Sequence, residues 1–215
     1  MSRLCGEVFL TKLRGFSLVE LLAVIAIIAL MSGILGIALP SLLGSRSLSK
    51  GSSLLENSLR DAREQSLNSD RRTALVIRKD GARPYARLAI YRSTTNPAAN
   101  WEQVGRWVDL PDGIVLDNTY SPTNAISLAT ASTAISSPVG IIDANITLST
   151  NSFLQVAFGA NGFLQSSGNI ELRTVRGTYN GDTLTFQGPN PPKDWRNLVI
   201  IAPLGRVKEI KPEDL

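Results

Sequence analysis

The sequence contains no histidine, and its single cysteine, Cys5, lies close to the N-terminus. A chain without histidine has no imidazole for acid–base catalysis, and after Cys5 it has neither a thiol nucleophile nor a His/Cys metal ligand. One cysteine also excludes an intrachain disulfide. Because the chain has no histidine, its serines also lack the base that commonly activates a serine nucleophile. We expect a protein that is not an enzyme and that uses no cofactor and no metal.

A strong excess of charge is also missing. The formal net charge is +4, and Arg3, Lys12 and Arg14 against Glu7 place +2 of it before Phe16. The rest of the chain is only weakly basic, whereas nucleic-acid-binding domains usually carry a concentrated basic patch. We therefore do not expect a nucleic-acid partner.

One long apolar run stands out against this composition. Residues 16–39 carry a single charge, Glu20. As a helix this run would be roughly 36 Å long, enough to cross a hydrocarbon core of about 30 Å. Arg3, Lys12 and Arg14 precede it and favour a cytoplasmic N-terminus, with the rest of the chain on the other side. The run predicts a transmembrane helix over 16–39.

Two ordinary interpretations of this segment compete with a more specific one. A secretory signal peptide has an apolar region of about 7–15 residues, which is shorter than this run. A small-residue site exists at Gly36-Ile37-Ala38, but Pro40 follows it closely. A plain single-pass anchor fits the length, yet it gives no reason for a carboxylate at Glu20, which is costly within a membrane.

The string GFSLVE at residues 15–20, after Lys12 and Arg14, resembles the class III signal of type IV prepilins and type II secretion pseudopilins. The resemblance implies that residues 1–15 are a leader. A membrane prepilin peptidase would cleave between Gly15 and Phe16 and methylate the new amine of Phe16. The apolar segment would be retained.

Cleavage would also supply a partner for Glu20. It creates an ammonium on Phe16, and Glu20 lies four residues on, one helical turn away. In a filament of packed helices, the ammonium of one subunit would meet the glutamate of its neighbour. A buried charge is tolerable when paired and expensive when alone. Glu20 is thus predicted to be an assembly residue.

Helical character continues beyond the apolar run. Pro40 removes a helical hydrogen bond and is expected to kink the helix. An apolar stripe recurs at Leu48, Leu55, Leu59 and Ala62, which predicts an amphipathic helix over 40–68 that packs on a sheet. Asn68-Ser69-Asp70 is expected to end it.

Residues 69–215 carry β signals and are predicted to form one β-rich domain. Hairpin and strand patterns mark candidate segments at 73–79, 85–92, 101–110, 114–116, 153–158, 163–165, 169–176, 198–201 and 206–210, from which roughly seven or eight short strands are expected. Residues 118–151 are expected to be a long variable loop with one short strand near 141–148, and residues 177–195 mostly loop. The predicted class is α+β, a long N-terminal helix packed on an antiparallel sheet or sandwich.

Three phrases in this domain resemble the H-type minor pseudopilins of type II secretion and the FimT/FimU-type minor pilins. The first is Asp61–Leu67, at the end of the amphipathic helix. The second is the glycine turn Phe158–Gly162, and the third is Leu204–Val207, near the C-terminus. The resemblance implies a minor pilin-like subunit.

Other candidate sites have simpler explanations. Asp109, Asp112 and Asp117 could suggest calcium, but turns explain them equally well. The cations Arg206, Lys208 and Lys211 are interleaved with acids. Trp101, Trp107 and Trp195 are expected to pack in the core or on a sheet face.

These observations predict a structural subunit of a type II secretion pseudopilus or a type IV pilus, with priming or capping as an expected role. Its predicted partners are the prepilin peptidase, other pilins or pseudopilins, and inner-membrane lipid before assembly. The predicted location is the bacterial inner membrane, with a periplasmic domain, and then the filament. The alternative is a membrane-anchored β domain that binds DNA or polysaccharide.

Overall fold

The computed structural model describes residues 17–94, 101–123, 125–127, 141–143, 146–148 and 153–212. Side chains are not described at 33–45, 126–127, 141–143 and 146–148. The chain divides into two compact units, Met1–Leu42 and Leu43–Leu215.

A single helix, α1, runs from Leu18 to Ser69 and contributes residues to both units. It continues through Pro40, so this proline does not end the helix, and the kink stays a prediction. The helix ends where predicted, because Asp70 adopts a left-handed conformation with φ of 52°. Such a residue commonly follows the last turn of a helix.

The predicted apolar stripe of α1 is confirmed. Leu48, Leu55, Leu59 and Ala62 are each no more than 1% exposed. They belong to one cluster that also contains Leu75 and Phe158 of one sheet and Leu172 and Leu198 of the other. The helical spacing in the sequence therefore corresponds to the face that holds the domain core.

Among the described residues, twelve strands follow the helix: β1 (Thr73–Arg78), β2 (Arg87–Ser93), β3 (Trp101–Asp109), β4 (Ile114–Leu116), β5 (Ile126–Ser127), β6 (Ile141–Asp143), β7 (Ile146–Leu148), β8 (Phe153–Phe158), β9 (Ile170–Asn180), β10 (Thr183–Phe186), β11 (Trp195–Ile201) and β12 (Arg206–Ile210). They confirm the α+β class.

The strands form two sheets. The first has the order β7-β6-β3-β2-β1-β8. The second has the order β10-β9-β11-β12, with β4 and β5 also paired to β9. Most pairs are antiparallel, as expected, but β3 with β6 and β5 with β9 are parallel. The first sheet is buried on both faces along β1, because Leu75 and Ile77 join the main core while Ala74 and Val76 join a second cluster with Tyr91 and Trp101.

Several strand predictions are wrong in detail. Residues 177–195 include a hairpin that the sequence did not predict, because β9 extends to Asn180 and turns through Gly181 into β10, while residues 187–194 are loop as expected. Gly177 permits this hairpin, since a Cβ there would lie 2.8 Å from the Thr185 carbonyl oxygen. Within 118–151, β5, β6 and β7 replace the single short strand expected. Residues 163–165 form only an isolated bridge between Phe158 and Leu164.

The three family-like phrases meet at one junction beside the end of α1. Arg63 Nε donates to the Gly162 carbonyl oxygen at 3.2 Å. A Cβ on Gly205 would lie 2.9 Å from the ring of Phe158 and 3.4 Å from Arg63. Thr73 Oγ1 donates to the Ala62 carbonyl oxygen, which joins β1 to the same helical turn. Each of the three sequence phrases therefore contacts the other two, and this packing accounts for their residues.

A tyrosine pair joins the two sheets on another side of the core. The rings of Tyr85, which precedes β2, and Tyr179 in β9 have centroids 4.3 Å apart. Asn118 Nδ2 donates to Tyr85 Oη at 2.8 Å, and Tyr179 Oη donates to Asn118 Oδ1 at 2.7 Å. Burial raises the pKa of Tyr85 and of Tyr179 above the ordinary value of 10.0. Both phenols therefore stay protonated at neutral pH.

Gly205→Ala should lower the free energy of unfolding by roughly 2–5 kcal/mol. The left-handed backbone at Gly205, with φ of 65°, disfavours a side chain by about 1–2 kcal/mol, and contact with buried Phe158 adds an overpacking penalty of about 1–3 kcal/mol. Urea denaturation followed by circular dichroism measures it. The matched control is Gly181→Ala, because φ is 59° there and no atom lies within 4 Å, so only the backbone term applies. Equal losses in the two variants would contradict the contact argument.

The domain should lose stability as the pH rises above about 10. Above about pH 10 the unfolded chain releases the protons of Tyr85 and Tyr179, whereas the folded state keeps them. The contribution of these two tyrosines to the free energy of unfolding is therefore fully present below pH 10. Above it, the free energy of unfolding falls by up to about 1.4 kcal/mol per pH unit for each tyrosine. Urea midpoints between pH 8 and 11.5 measure the slope. Tyr179→Phe should be less stable at pH 8 but should show a shallower alkaline slope. A midpoint that does not change with pH would refute this.

Candidate functional site

The start of α1 is an N-terminal cap formed by Ser17. The Glu20 amide donates to Ser17 Oγ at 3.2 Å, and the Leu21 amide donates to the Ser17 carbonyl oxygen at 3.2 Å. Serine followed three residues later by glutamate is the capping-box pattern. The structure therefore gives Ser17 a defined role in fixing where the helix begins, immediately after the predicted cleavage site.

Glu20 lies in the first turn of α1 and is exposed. A carboxylate in this position interacts favourably with the positive end of the helix dipole. This local interaction was missed in the sequence interpretation, although the Ser-x-x-Glu spacing at residues 17–20 was available to reveal it. Glu20 thus has a stabilising position within its own helix as well as its predicted role in assembly.

The first part of α1 exposes an extensive apolar surface. The exposed fractions of its large apolar side chains range from 45% at Val24 to 80% at Leu18. Soluble monomers rarely expose contiguous apolar patches of this kind. The exposed side chains are Leu18, Val19, Leu21, Leu22, Val24, Ile25, Ile27, Ile28, Leu30 and Met31.

The structure describes only some of the other residues predicted for this segment. Gly15 and Phe16 lie outside the described residues, as do the side chains of Pro40 and of residues 33–39 of the predicted span. Within the described residues, no helix has a stretch both long enough and apolar enough to span a membrane.

The aspartates considered for calcium are engaged in protein contacts. Asp109 Oδ1 lies 2.8 Å from Arg87 Nε, and Asp112 Oδ1 lies 3.1 Å from Arg83 Nη2. Asp117 Oδ1 accepts from the Thr119 amide and hydroxyl. In the described part of the chain, no three Asp, Glu, His or Cys side chains converge as metal ligands.

The tryptophans behave largely as expected. Trp101 is buried in the second cluster, and Trp107 packs edge-on against Tyr91. Trp195 lies on the outer face of the second sheet, where it lines an open groove with Arg173. This groove was not predicted, because its residues come from distant parts of the sequence.

Comparison with known proteins identifies the N-terminal segment. Residues 11–36 match the family model described as the prokaryotic N-terminal methylation motif. This chain therefore carries an N-terminal methylation motif of the prepilin type. The motif spans both the Gly15–Phe16 bond and Glu20.

Comparisons of the whole chain give weaker similarities. No curated protein matches this chain. Among solved structures, it is similar to the minor pseudopilin EpsH from the type 2 secretion system of Vibrio cholerae, with 12% identity and a TM-score of 0.43. That similarity covers 77% of this chain and 98% of the other.

Proposed function

We propose that this type IV pilin-like chain is a minor subunit of a type II secretion pseudopilus or a type IV pilus. The observation that carries the proposal is the methylation motif over residues 11–36. Within it, the prepilin peptidase cleaves between Gly15 and Phe16 and methylates the amine of Phe16. The apolar helix is retained and becomes the part of the subunit that enters the filament.

The start of α1 supports this processing scheme. Cleavage leaves Phe16 as the first residue, directly before the Ser17 cap. A positive charge at a helix N-terminus is unfavourable for the dipole, so the Phe16 ammonium benefits from a carboxylate nearby. Glu20 supplies it, one turn on. In the filament, the Glu20 of one subunit pairs with the ammonium of its neighbour and sets the register between helices.

The exposed apolar side chains between Leu18 and Met31 have a role both before and after assembly into the filament. Before assembly they contact inner-membrane lipid, as part of a transmembrane helix over 16–39. After assembly they contact the helices of neighbouring subunits. Arg3, Lys12 and Arg14 keep the N-terminus cytoplasmic, so the domain that follows faces the periplasm.

The finer assignment is to the H-type minor pseudopilins and the FimT/FimU-type minor pilins. Its support is the junction at which Arg63, Phe158, Gly162 and Gly205 meet. A minor subunit of this type would prime or cap the filament, and its β domain would select the neighbouring subunit.

Gly15→Leu should block processing, because the peptidase must accommodate the residue before the scissile bond. The precursor should persist, and mass spectrometry of the purified chain should find its N-terminus at or near Met1 instead of N-methyl-Phe16. Gly6→Leu is the matched control, since it places the same side chain elsewhere in the leader and should be processed normally. A mature N-methyl-Phe16 terminus in Gly15→Leu would contradict the cleavage site, and an uncut native chain would favour a plain anchor.

Glu20→Gln should be cleaved and methylated normally but should enter filaments at least tenfold less often, because the amide cannot pair with a neighbour's ammonium. The measurement is the fraction of mature chain recovered with sheared filaments rather than membranes. Ser17→Ala is the control, since it removes the cap and leaves the carboxylate. If both variants lose assembly equally, Glu20 acts through its own helix. Normal assembly of Glu20→Gln would refute its role in register.

A further inference from the structure

An open groove of about 400 Å³ lies on the outer face of the second sheet, away from α1. This volume is within the range of ligand-binding clefts. Its floor comes from β9, β11 and β12, and one wall comes from the segment after β4. The lining residues are Tyr120, Thr123, Ala125, Asn169, Glu171, Arg173, Trp195, Asn197, Val199 and Ile210.

Arg173 is the central cation of the groove. Its guanidinium carbon lies 3.4 Å from the ring centroid of Tyr120 and 4.8 Å from that of Trp195. Its Nε donates to Asn197 Oδ1 at 3.0 Å. Within the described residues, no carboxylate lies within 4.0 Å of this guanidinium. Arg173 is thus held in place by aromatic faces and an amide rather than by an ion pair.

The nearest acid on this strand is held by other groups. Glu171 Oε1 accepts from Tyr120 Oη at 2.8 Å and also from Asn197 Nδ2. Burial, followed by this hydrogen bond to Glu171, raises the pKa of Tyr120, so its phenol remains a donor at neutral pH. Asn197 is 3% exposed and bridges Glu171 to Arg173. This buried amide keeps the carboxylate and the guanidinium in separate positions.

Strand alternation adds positive charge to the same face. In β12, Glu209 is opposite Leu198, which is fully buried, and accepts from Ser52 Oγ of α1 at 2.8 Å. Lys208 is opposite Val199, and Val199 lines the groove. Arg206 and Lys208 alternate with Glu209 and therefore share the groove face. Glu209, the acid interleaved with them in the sequence, points to the other side of the sheet.

We propose that this groove binds an acidic, extended segment of a protein partner, with a carboxylate of the segment on the Arg173 guanidinium. A planar guanidinium with unused Nη donors can bind a carboxylate in a bidentate manner. Tyrosine, tryptophan and arginine are also the residues that most often dominate protein interfaces. The main-chain edge of β12, which pairs only with β11 among the described strands, adjoins the groove at Ile210 and suits an extended chain.

The same geometry disfavours other anionic macromolecules. Sugars and nucleic-acid bases are usually held by stacking on a free aromatic face. Here the guanidinium already covers a face of both Tyr120 and Trp195. The inference does not depend on N-terminal processing, so it can fail without affecting the proposed function.

The test is a titration of the full-length chain in non-ionic detergent, followed by the indole N–H signal of Trp195 in NMR spectra. The probes are acetyl-Ala-Glu-Ala-Glu-Ala-amide, the same peptide with Gln for Glu, and trigalacturonate. We expect the Glu peptide to shift the Trp195 signal and to bind at least tenfold more tightly than the Gln peptide. Arg173→Lys should weaken binding of the Glu peptide about tenfold, because lysine cannot form the bidentate contact.

Two further variants keep the test decisive. Arg176→Lys is the matched control, since Arg176 lies on the same strand but does not line the groove. The affinity of this variant for the Glu peptide should be unchanged. Glu171→Gln should bind the Glu peptide more tightly, because it removes a negative charge beside the incoming carboxylate. Equal binding of the two peptides, binding of trigalacturonate alone, no response to any probe, or an unchanged affinity in Arg173→Lys would each overturn the proposal.

Discussion

The burial of one helical stripe holds the domain formed by Leu43–Leu215 together. Leu48, Leu55, Leu59 and Ala62 contribute to a cluster that includes residues of both sheets. Each fully buried leucine stabilises the fold by roughly 1.5–3 kcal/mol. Several strands pair over only two or three residues, and the helical stripe packs against the inner faces of both sheets. The polar junction at Arg63 and Gly162 then fixes the position of the helix end on that core.

The first part of the same helix exposes its apolar side chains instead of burying them. Between Leu18 and Met31 its large apolar side chains are exposed, and the segment starts with a capped turn that contains Glu20. An apolar surface of this kind is stable only in contact with lipid or with other helices. The helix therefore combines a segment that requires external partners with a segment that completes a folded core. In the proposed function, this division lets the subunit stay folded while it moves from the membrane to the filament.

The sequence predicted the parts of the fold that depend on local periodicity and turn chemistry. The helical stripe, the helix end at Ser69, and strands β4, β8 and β12 all follow from such patterns. The β9–β10 hairpin did not, because Gly177 and Gly181 suggest a loop, whereas strand pairing places Gly177 within β9 and Gly181 in the tight turn between β9 and β10. The Ser17 cap was visible in the sequence but was not recognised. The Arg173 groove could not be predicted, since Tyr120, Arg173 and Trp195 meet only through sheet pairing.

Strand alternation separates charges of the C-terminal strand that are interleaved in the sequence. In the sequence, Glu209 stands next to Lys208 and close to Arg206. In the sheet, neighbouring residues point to opposite faces, so Glu209 interacts with Ser52 of α1 while Lys208 faces away from the core. The single strand β12 thus contributes a carboxylate to the helix contact and cations to the outer surface. Attachment of the helix and the charge of the exposed face are set by alternate residues of one strand, so each can vary in sequence without the other.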